Sequence, residues 1–321
     1  MVMISATPWK KALPIFWLTL MALSSQQLTG SGAARVVPPR PISYVIAPQK
    51  PAGIKHHPIP LASRPSFRTA LGTPDDPVSV YLMAGQSNMM GAALQENMDP
   101  QYTVPFPAAK IWGNRAEFVP LAPGFDGQYV DFGPELSFGR RIVEHSRETV
   151  YLVKSGLGAT TLADDWAPER INNSYDRFTQ TVDAALAELT EQGVAYEIKG
   201  LVWMQGESDV WKHDFSTTYE QNLTQLIASV RARYGTDLAI AIGLIRGDLP
   251  TDDRVAQREQ VRMAQRIIAA SDARVFLVDT DTFGQGETVL QPDAVHYNAT
   301  GQILLGTAFA DALGNAELTS H

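Results

Sequence analysis

The chain of 321 residues contains no cysteine, which excludes a disulfide framework and a thiolate metal site. Acidic residues are absent from positions 1–74, although that segment carries eight Lys and Arg residues. The rest of the chain therefore holds 18 basic against 34 acidic residues, a net charge of −16. Such an acidic body disfavours binding to nucleic acid or to anionic membranes through its general field, so we expect neutral partners.

The N-terminal segment lacks the roughly 20 apolar residues that a membrane-spanning helix requires. Lys10 and Lys11 precede the shorter run "ALPIFWLTLMAL", which polar and small residues follow. This order is typical of a secretory signal peptide, here residues 1–34 with cleavage near Ala34. An uncleaved anchor helix is the alternative. We expect a secreted or periplasmic protein with no stable membrane insertion after signal cleavage.

Regular structure is not expected in residues 35–76, because ten of the 21 prolines lie between positions 35 and 77. Proline disrupts helix interiors and central strands, so this segment is interpreted as an extended linker or arm. His56 and His57 stand here without a nearby carboxylate, which favours solvated side chains over a metal site.

From residue 77 to residue 315, short apolar runs alternate with segments of helical period. The runs are nearly continuous in apolar residues, as expected for strands that are buried on both faces. This alternation predicts a parallel sheet with right-handed crossovers, in a single doubly wound α/β domain. The predicted strands are 78–84, 149–155, 198–205, 238–245 and 274–280, and the predicted helices are 134–146, 174–192, 216–234, 252–270 and 299–313.

Ser87 follows the first predicted strand in "VYLMAGQSNMMG", where the chain passes from a strand to a helix. In sheets of this type, ligands bind at the carboxyl ends of the strands. The α/β-hydrolase pattern Gly-x-Ser-x-Gly is absent, since Met89 takes the place of the second glycine. A serine at such a junction acts either as a nucleophile or as a helix cap.

A candidate base and its orienting acid lie close together near the C-terminus. Asp293 precedes His296 by three residues, so its carboxylate can accept the Nδ1 proton across a tight turn and direct Nε2 towards a serine. The alternative is an aspartate that caps a turn beside a surface histidine.

Two other strand ends offer hydrogen-bond donors for an oxyanion. The small residues Gly158 and Ala159 allow backbone amides to approach a ligand, and the side-chain amide of Gln205 is a neutral donor. Glu207 follows two residues later and is expected to be partly buried. We predict for it a structural salt bridge with Arg262, or with Arg246, rather than acid–base catalysis.

Four blocks of the sequence carry a resemblance to a known family. "AGQSNMMG", "GATTLADDW", "WMQGESD" and "DAVHYNATG" resemble, in order and spacing, the sialate O-acetylesterase and acetylxylan esterase group of the SGNH hydrolases. The resemblance spans residues 77–313. It implies a flavodoxin-like, three-layer α/β/α fold with about five parallel strands, and neither a metal nor another cofactor.

The resemblance also implies roles for single residues. Ser87 would be the nucleophile, with His296 and Asp293 completing a triad. The oxyanion donors would be the amide of Ser87, a backbone amide at Gly158 or Ala159, and the side chain of Gln205. Apart from the resemblance, we expect Gln86, Asn88, Glu207 and Arg262 to support the site. Ala159 stands where the family commonly has a second glycine, so a positive φ at this position would cost about 1 kcal/mol.

These residues predict a serine carbohydrate O-acetylesterase that acts on an acetylated sugar or polysaccharide through an acetyl-serine intermediate. Trp112, Trp166 and Trp211 could stack on sugar rings or belong to the core, and Trp166 is the one most expected to be structural. Specificity is expected to depend on loops such as 92–130. A non-catalytic carbohydrate-binding protein and a sugar O-acetyltransferase are the alternatives.

Overall fold

A computed structural model describes residues 72–124, 131–247 and 254–318. The predicted signal peptide, nearly all of the proline-rich arm, and the pair His56–His57 lie outside these ranges. Within them, no helix is both long and apolar enough to cross a membrane.

A seven-stranded sheet in the order β4-β3-β6-β1-β7-β8-β9 forms the centre of the domain. Strands β6, β1, β7, β8 and β9 are parallel neighbours, which confirms the five predicted parallel strands. Strand β3 continues the sheet in parallel beside β6, and β4 pairs with β3 in the antiparallel sense at the edge. The strands are β1 (Val78–Gly85), β2 (Ala93–Leu94), β3 (Phe106–Trp112), β4 (Phe118–Leu121), β5 (Asp131–Phe132), β6 (Val150–Gly156), β7 (Tyr196–Met204), β8 (Ala239–Gly243) and β9 (Val275–Val278).

Strands β3 and β4 lie within residues 92–130, a segment that was expected to be a loop. Each of them contains a proline, Pro107 in β3 and Pro120 in β4. Both strands also contain partly exposed residues. Proline cannot donate to a ladder and is tolerated at sheet edges. The two strands therefore lack the continuous apolar pattern that identified the central ones.

Two groups of helices flank the sheet in a three-layer α/β/α arrangement. Helix α2 packs against α6, and α4 packs against α5, while α3 lies along β6. All eight residues of β1 are buried, as expected for a strand with helices on both faces. The helices are α1 (Ser87–Met90), α2 (Glu135–Ser146), α3 (Ser174–Glu191), α4 (His213–Tyr234), α5 (Val255–Ser271) and α6 (Ala299–Leu318).

The end of β1 approaches its neighbours so closely that position 85 requires glycine. Gly85 lies opposite Gly156 of β6 and Met204 of β7, at the shared carboxyl edge of the three strands. Its φ is +150°, and a Cβ at this position would lie 2.0 Å from the carbonyl oxygen of Met204. The chain therefore leaves β1 sharply, and the residues that follow all three strands are brought together.

Candidate active site

Ser87 begins helix α1 immediately beyond the end of β1. Its side chain is nearly buried, and its Oγ lies 3.0 Å from Nε2 of His296. The two residues are 209 positions apart in the sequence, so only the fold brings them together. This distance is within the hydrogen-bond reach expected between a nucleophile and its base.

Asp293 orients the imidazole of His296 from the same turn. Its Oδ2 lies 2.6 Å from Nδ1, and its Oδ1 accepts hydrogen bonds from the backbone N–H groups of Val295 and His296. Burial opposes ionisation, but the hydrogen bonds from the imidazole and from these two N–H groups hold the pKa of Asp293 below its usual value. An ionised carboxylate only accepts, so Nδ1 carries the proton and Nε2 is left to accept from the hydroxyl of Ser87.

The loop after β6 runs beside Ser87 and carries backbone N–H groups without an acceptor. A Cβ added to Gly158 would lie 3.7 Å from the Cβ of Ser87, so this loop runs past the serine. Within the described part of the chain, the N–H groups of Ser87, Gly158 and Ala159 donate to no other group. Ala159 has a φ of +58°, the left-handed region that favours glycine. N–H groups that are unused in a loop beside the nucleophile are available to bind a developing oxyanion.

Gln205 has partners other than the predicted oxyanion. Its side chain is fully buried, and Nε2 donates to the carbonyl of Thr160 at 3.0 Å and to Oδ2 of Asp209 at 2.5 Å. The hydroxyl of Tyr219 donates to Oε1 of Gln205. Because both hydrogens of Nε2 are used inside the protein, Gln205 in this arrangement braces the loop after β6 instead of facing a ligand.

Asp209 is a buried acid whose role could not be predicted from the sequence, although it ends the block "WMQGESD". Its carboxylate accepts from the N–H groups of Leu162 and Ala163 and from the amide of Gln205. Burial raises its pKa to about 6, while the hydrogen bonds from Leu162, Gln205 and Ala163 act in the opposite direction. Asp209 therefore ties the chain after β6 to the chain after β7.

Glu207 does not pair with Arg262, contrary to the prediction. The guanidinium of Arg262 instead binds Asp281 and the carbonyl of Ile245. Oε1 of Glu207 accepts from Nδ2 of Asn88 at 2.6 Å, and its Oε2 is buried with no hydrogen-bond partner among the described residues. Burial raises the pKa of Glu207, and the hydrogen bond from Asn88 limits the rise.

The nucleophile turn is anchored on both sides of Ser87. Oε1 of Gln86 lies 3.3 Å from the N–H groups of Gly206 and Ser208, which follow β7. Asn88 binds the loop that carries His296. Of the predicted supporting residues, Gln86, Asn88 and Glu207 therefore lie together around the serine, whereas Arg262 binds Asp281.

A buried ion pair supports the end of α1. Nζ of Lys154, in β6, donates to the carbonyl oxygen of Met90 at 2.8 Å and to Oε2 of Glu135. Oε1 of Glu135 accepts from the N–H of Gly133. Both charged side chains are almost completely buried. The pair thus links the nucleophile helix to the start of α2.

The three candidate tryptophans have different surroundings. Trp166 is buried against Trp203 and donates its Nε1–H to Oγ1 of Thr160, and Trp112 is also buried. Trp211 is 69% exposed and has the guanidinium of Arg254 over its ring. It lines a cavity of about 100 Å³ together with Glu207, Val295, Val210, Ile245, Arg246 and Arg258.

Comparison with known proteins shows which family the chain resembles. The family model described as carbohydrate esterase, sialic acid-specific acetylesterase, matches residues 77–315. A probable carbohydrate esterase from Arabidopsis thaliana is 24% identical over 262 residues, which are 75% of this chain and 92% of the plant protein.

Solved structures share the fold. The X-ray structure of the Arabidopsis protein superposes with a TM-score of 0.61 and 21% identity, covering 74% of this chain and 98% of its own. NanS gives a TM-score of 0.55 at 16% identity, with 77% and 98% covered. A carbohydrate acetylesterase from Xanthomonas citri gives 0.51 at 16% identity, with 73% and 55% covered. With a family model that spans most of its length, the chain belongs to the carbohydrate esterase family of sialic acid-specific acetylesterases and is a carboxylic ester hydrolase.

Proposed function

We propose that this protein is a serine carbohydrate O-acetylesterase, of the sialate O-acetylesterase or acetylxylan esterase type, that works through an acetyl-serine intermediate. The single observation that carries the proposal is the hydrogen-bonded series from Ser87 Oγ through His296 to Asp293, at 3.0 Å and 2.6 Å. A nucleophile, a base and an orienting acid in this order are the parts that acyl transfer requires.

In the first half of the reaction, Nε2 of His296 takes the proton of Ser87 while Oγ attacks the acetyl carbonyl carbon. The carbonyl oxygen becomes an oxyanion, which the N–H groups of Ser87 and of Gly158 or Ala159 stabilise. Each such donor is worth about 10²–10³ in turnover at comparable sites. The intermediate collapses as the C–O bond to the sugar breaks and the imidazolium gives its proton to the leaving hydroxyl.

In the second half, water replaces the sugar. His296 removes a proton from the water, the resulting hydroxide attacks the acetyl-serine, and the same amides bind the second oxyanion. Release of acetate returns the proton to Ser87. Asp293 stays ionised throughout, since the hydrogen bonds that it accepts favour its charged form. Its charge stabilises the imidazolium in both halves.

The sugar is expected on the side of the site that His296 occupies, because its leaving oxygen must reach Nε2 for protonation. Val295, the neighbour of His296, lines one cavity with the exposed ring of Trp211. An aromatic face beside polar groups suits a pyranose ring. This supports an acetylated carbohydrate as the substrate.

The proposal is tested by acetate release from 4-nitrophenyl acetate and from acetylated xylan. Ser87→Ala and His296→Ala should each lose at least ~10³ of the wild-type activity. Ser271→Ala and His213→Ala, at exposed positions outside the triad, should retain the activity on 4-nitrophenyl acetate. If wild type and the two site variants behave alike, the site does not catalyse and a carbohydrate-binding role replaces the proposal. Acetyl transfer to an added sugar, detected among the products, would favour the acetyltransferase alternative.

A further inference from the structure

The side chain of Asn88 connects the serine turn to the main chain on both sides of His296. Its Nδ2 donates to the carbonyl oxygen of Val295 at 3.1 Å, and its Oδ1 accepts from the N–H of Tyr297 at 3.1 Å. One amide group therefore forms hydrogen bonds with the residues immediately before and after the base. Asn88 is itself the residue that follows Ser87.

The orientation of this amide is fixed by a third hydrogen bond. The second hydrogen of Nδ2 goes to Oε1 of Glu207 at 2.6 Å. If the amide were rotated by half a turn, its oxygen would face the carboxylate of Glu207 and the carbonyl of Val295, and its NH₂ group would face the N–H of Tyr297. All three contacts would then be repulsive, and the side chain is 1% exposed, so water could not relieve them.

The connection matters because the two reacting groups are far apart in the chain. His296 comes from a loop 209 residues beyond Ser87, and its turn is partly exposed to solvent. The separation of Oγ and Nε2 therefore depends on contacts that join the two segments. Asn88 supplies two of them within one residue of each reacting group. A displacement of about 1 Å in such geometry can cost on the order of 10²-fold in rate.

We propose that Asn88 is a positioning residue, which holds His296 in register with Ser87 and is itself held in one orientation by Glu207. The inference rests on the proposed serine mechanism. Asn88 acts through the main chain of the base, and Glu207 acts as a hydrogen-bond acceptor whose Oε1 is committed to that amide.

The first test is the kinetics of Asn88→Ala on 4-nitrophenyl acetate. We expect kcat to fall about 10²-fold while KM stays within about 3-fold, since the contacts position the base and leave the substrate untouched. Asn173→Ala is a matched control, because Asn173 makes the same kinds of bonds, to the carbonyl of Ala167 and the N–H of Asp176, in a different loop. A kcat for Asn88→Ala equal to that of the control would overturn the proposal.

Two substitutions distinguish whether Glu207 acts as a hydrogen-bond acceptor for Asn88 or as a catalytic carboxylate. Glu207→Gln keeps an oxygen that can accept from Asn88, so its kcat should stay within about 5-fold of wild type. Glu207→Leu removes the acceptor and should approach the loss seen for Asn88→Ala. A loss as large in Glu207→Gln as in Ser87→Ala would make the carboxylate itself catalytic and contradict the proposal.

Hydrogen exchange tests the contacts between Asn88 and the His296 loop without a measurement of enzyme activity. In Asn88→Ala, the N–H of Tyr297 loses its acceptor, so its exchange should accelerate at least about tenfold relative to wild type. The control Asn173→Ala should leave it unchanged. Unchanged exchange in Asn88→Ala would refute the inference. If Ser87→Ala retained esterase activity, the proposed mechanism would fail instead, and the exchange result would still decide whether Asn88 holds this loop.

Discussion

The carboxylate of Asp209 accepts a hydrogen bond from the side-chain amide of Gln205, and both groups are fully buried. The same carboxylate binds the N–H groups of Leu162 and Ala163, a few residues beyond Gly158 in the loop after β6. An ionised acid at this point is surrounded by donors, yet its charge is removed from water. Its protonation should therefore be visible in the stability of the protein.

The free energy of unfolding is expected to depend on Asp209 between about pH 4 and pH 6. Burial raises the folded-state pKa to about 6, above the usual value of an aspartate, so the folded protein binds the proton more tightly than the unfolded chain. Stability from this group is therefore present at low pH and is lost as the pH rises through 6. Relative to Asp209→Asn, wild type should lose up to about 3 kcal/mol between pH 4 and pH 7, measured by urea unfolding.

A control for that measurement is Asp272→Asn. The hydrogen bond from Arg231 holds the pKa of Asp272 below its usual value, so the stability that it contributes is present at neutral pH and is lost as the pH falls. The difference in free energy of unfolding between wild type and Asp272→Asn should therefore fall as the pH falls, opposite to the difference for Asp209→Asn. If neither stability difference, wild type against Asp209→Asn or wild type against Asp272→Asn, changed with pH, both of the stated pKa shifts would be wrong.

Ala159→Gly should stabilise the protein. Ala159 has a φ of +58°, where an L-residue pays about 1 kcal/mol that glycine avoids. We expect the melting temperature to rise by about 2–4 °C for a domain of this size, by calorimetry. Ala184→Gly, in the interior of α3, is the matched control and should lower it. Equal effects of the two substitutions would show that the backbone at position 159 is not strained.

Lys154→Met should destabilise the protein strongly. Lys154 and Glu135 form a buried ion pair, and removing one partner leaves an uncompensated buried charge at a cost of about 3–5 kcal/mol. The double substitution Lys154→Met with Glu135→Gln removes both charges and keeps an acceptor for the N–H of Gly133. Denaturant unfolding should therefore find the double variant more stable than Lys154→Met alone. The reverse order would mean that the pair is not charged in the folded state.

Trp211→Ala should lower the activity on sugar esters and leave the activity on small esters nearly unchanged. The ring is exposed beside the cavity that Val295 and Glu207 line, where the leaving sugar is expected. We expect kcat/KM for an acetylated oligosaccharide to fall about 10-fold, equivalent to about 1.4 kcal/mol, with that for 4-nitrophenyl acetate nearly unchanged. Ile267→Ala, on the exposed side of α5, is the control. A parallel loss on both substrates would exclude a sugar contact at Trp211.

The sequence predicted those parts of the fold that local pattern determines. Strands such as β1 are buried on both faces and are therefore nearly continuous in apolar residues. The pair Asp293 and His296 could be predicted from spacing because both lie in one turn. Strands β3 and β4 were missed because prolines and partial exposure interrupt their pattern.

Side-chain partners between distant segments could not be derived in this way. Gln205 follows a strand that reaches the site, but its amide turns towards Thr160 and Asp209. The charge of Arg262 suggested a bond to Glu207, whereas in the folded chain its guanidinium binds Asp281. In both cases the residue type was informative and the direction of the side chain depended on tertiary packing.

The separation of Ser87 and His296 by 209 residues has a consequence for folding kinetics. The serine follows the first strand of the sheet, and the histidine follows the last, so a contact between them closes almost the whole domain as one loop. Contacts of such high sequence separation form late, after nearer segments have been ordered. A chain arrested with β9 or α6 unformed would keep its serine but have no base beside it. Recovery of esterase activity during refolding should therefore report completion of the domain, rather than its initial collapse.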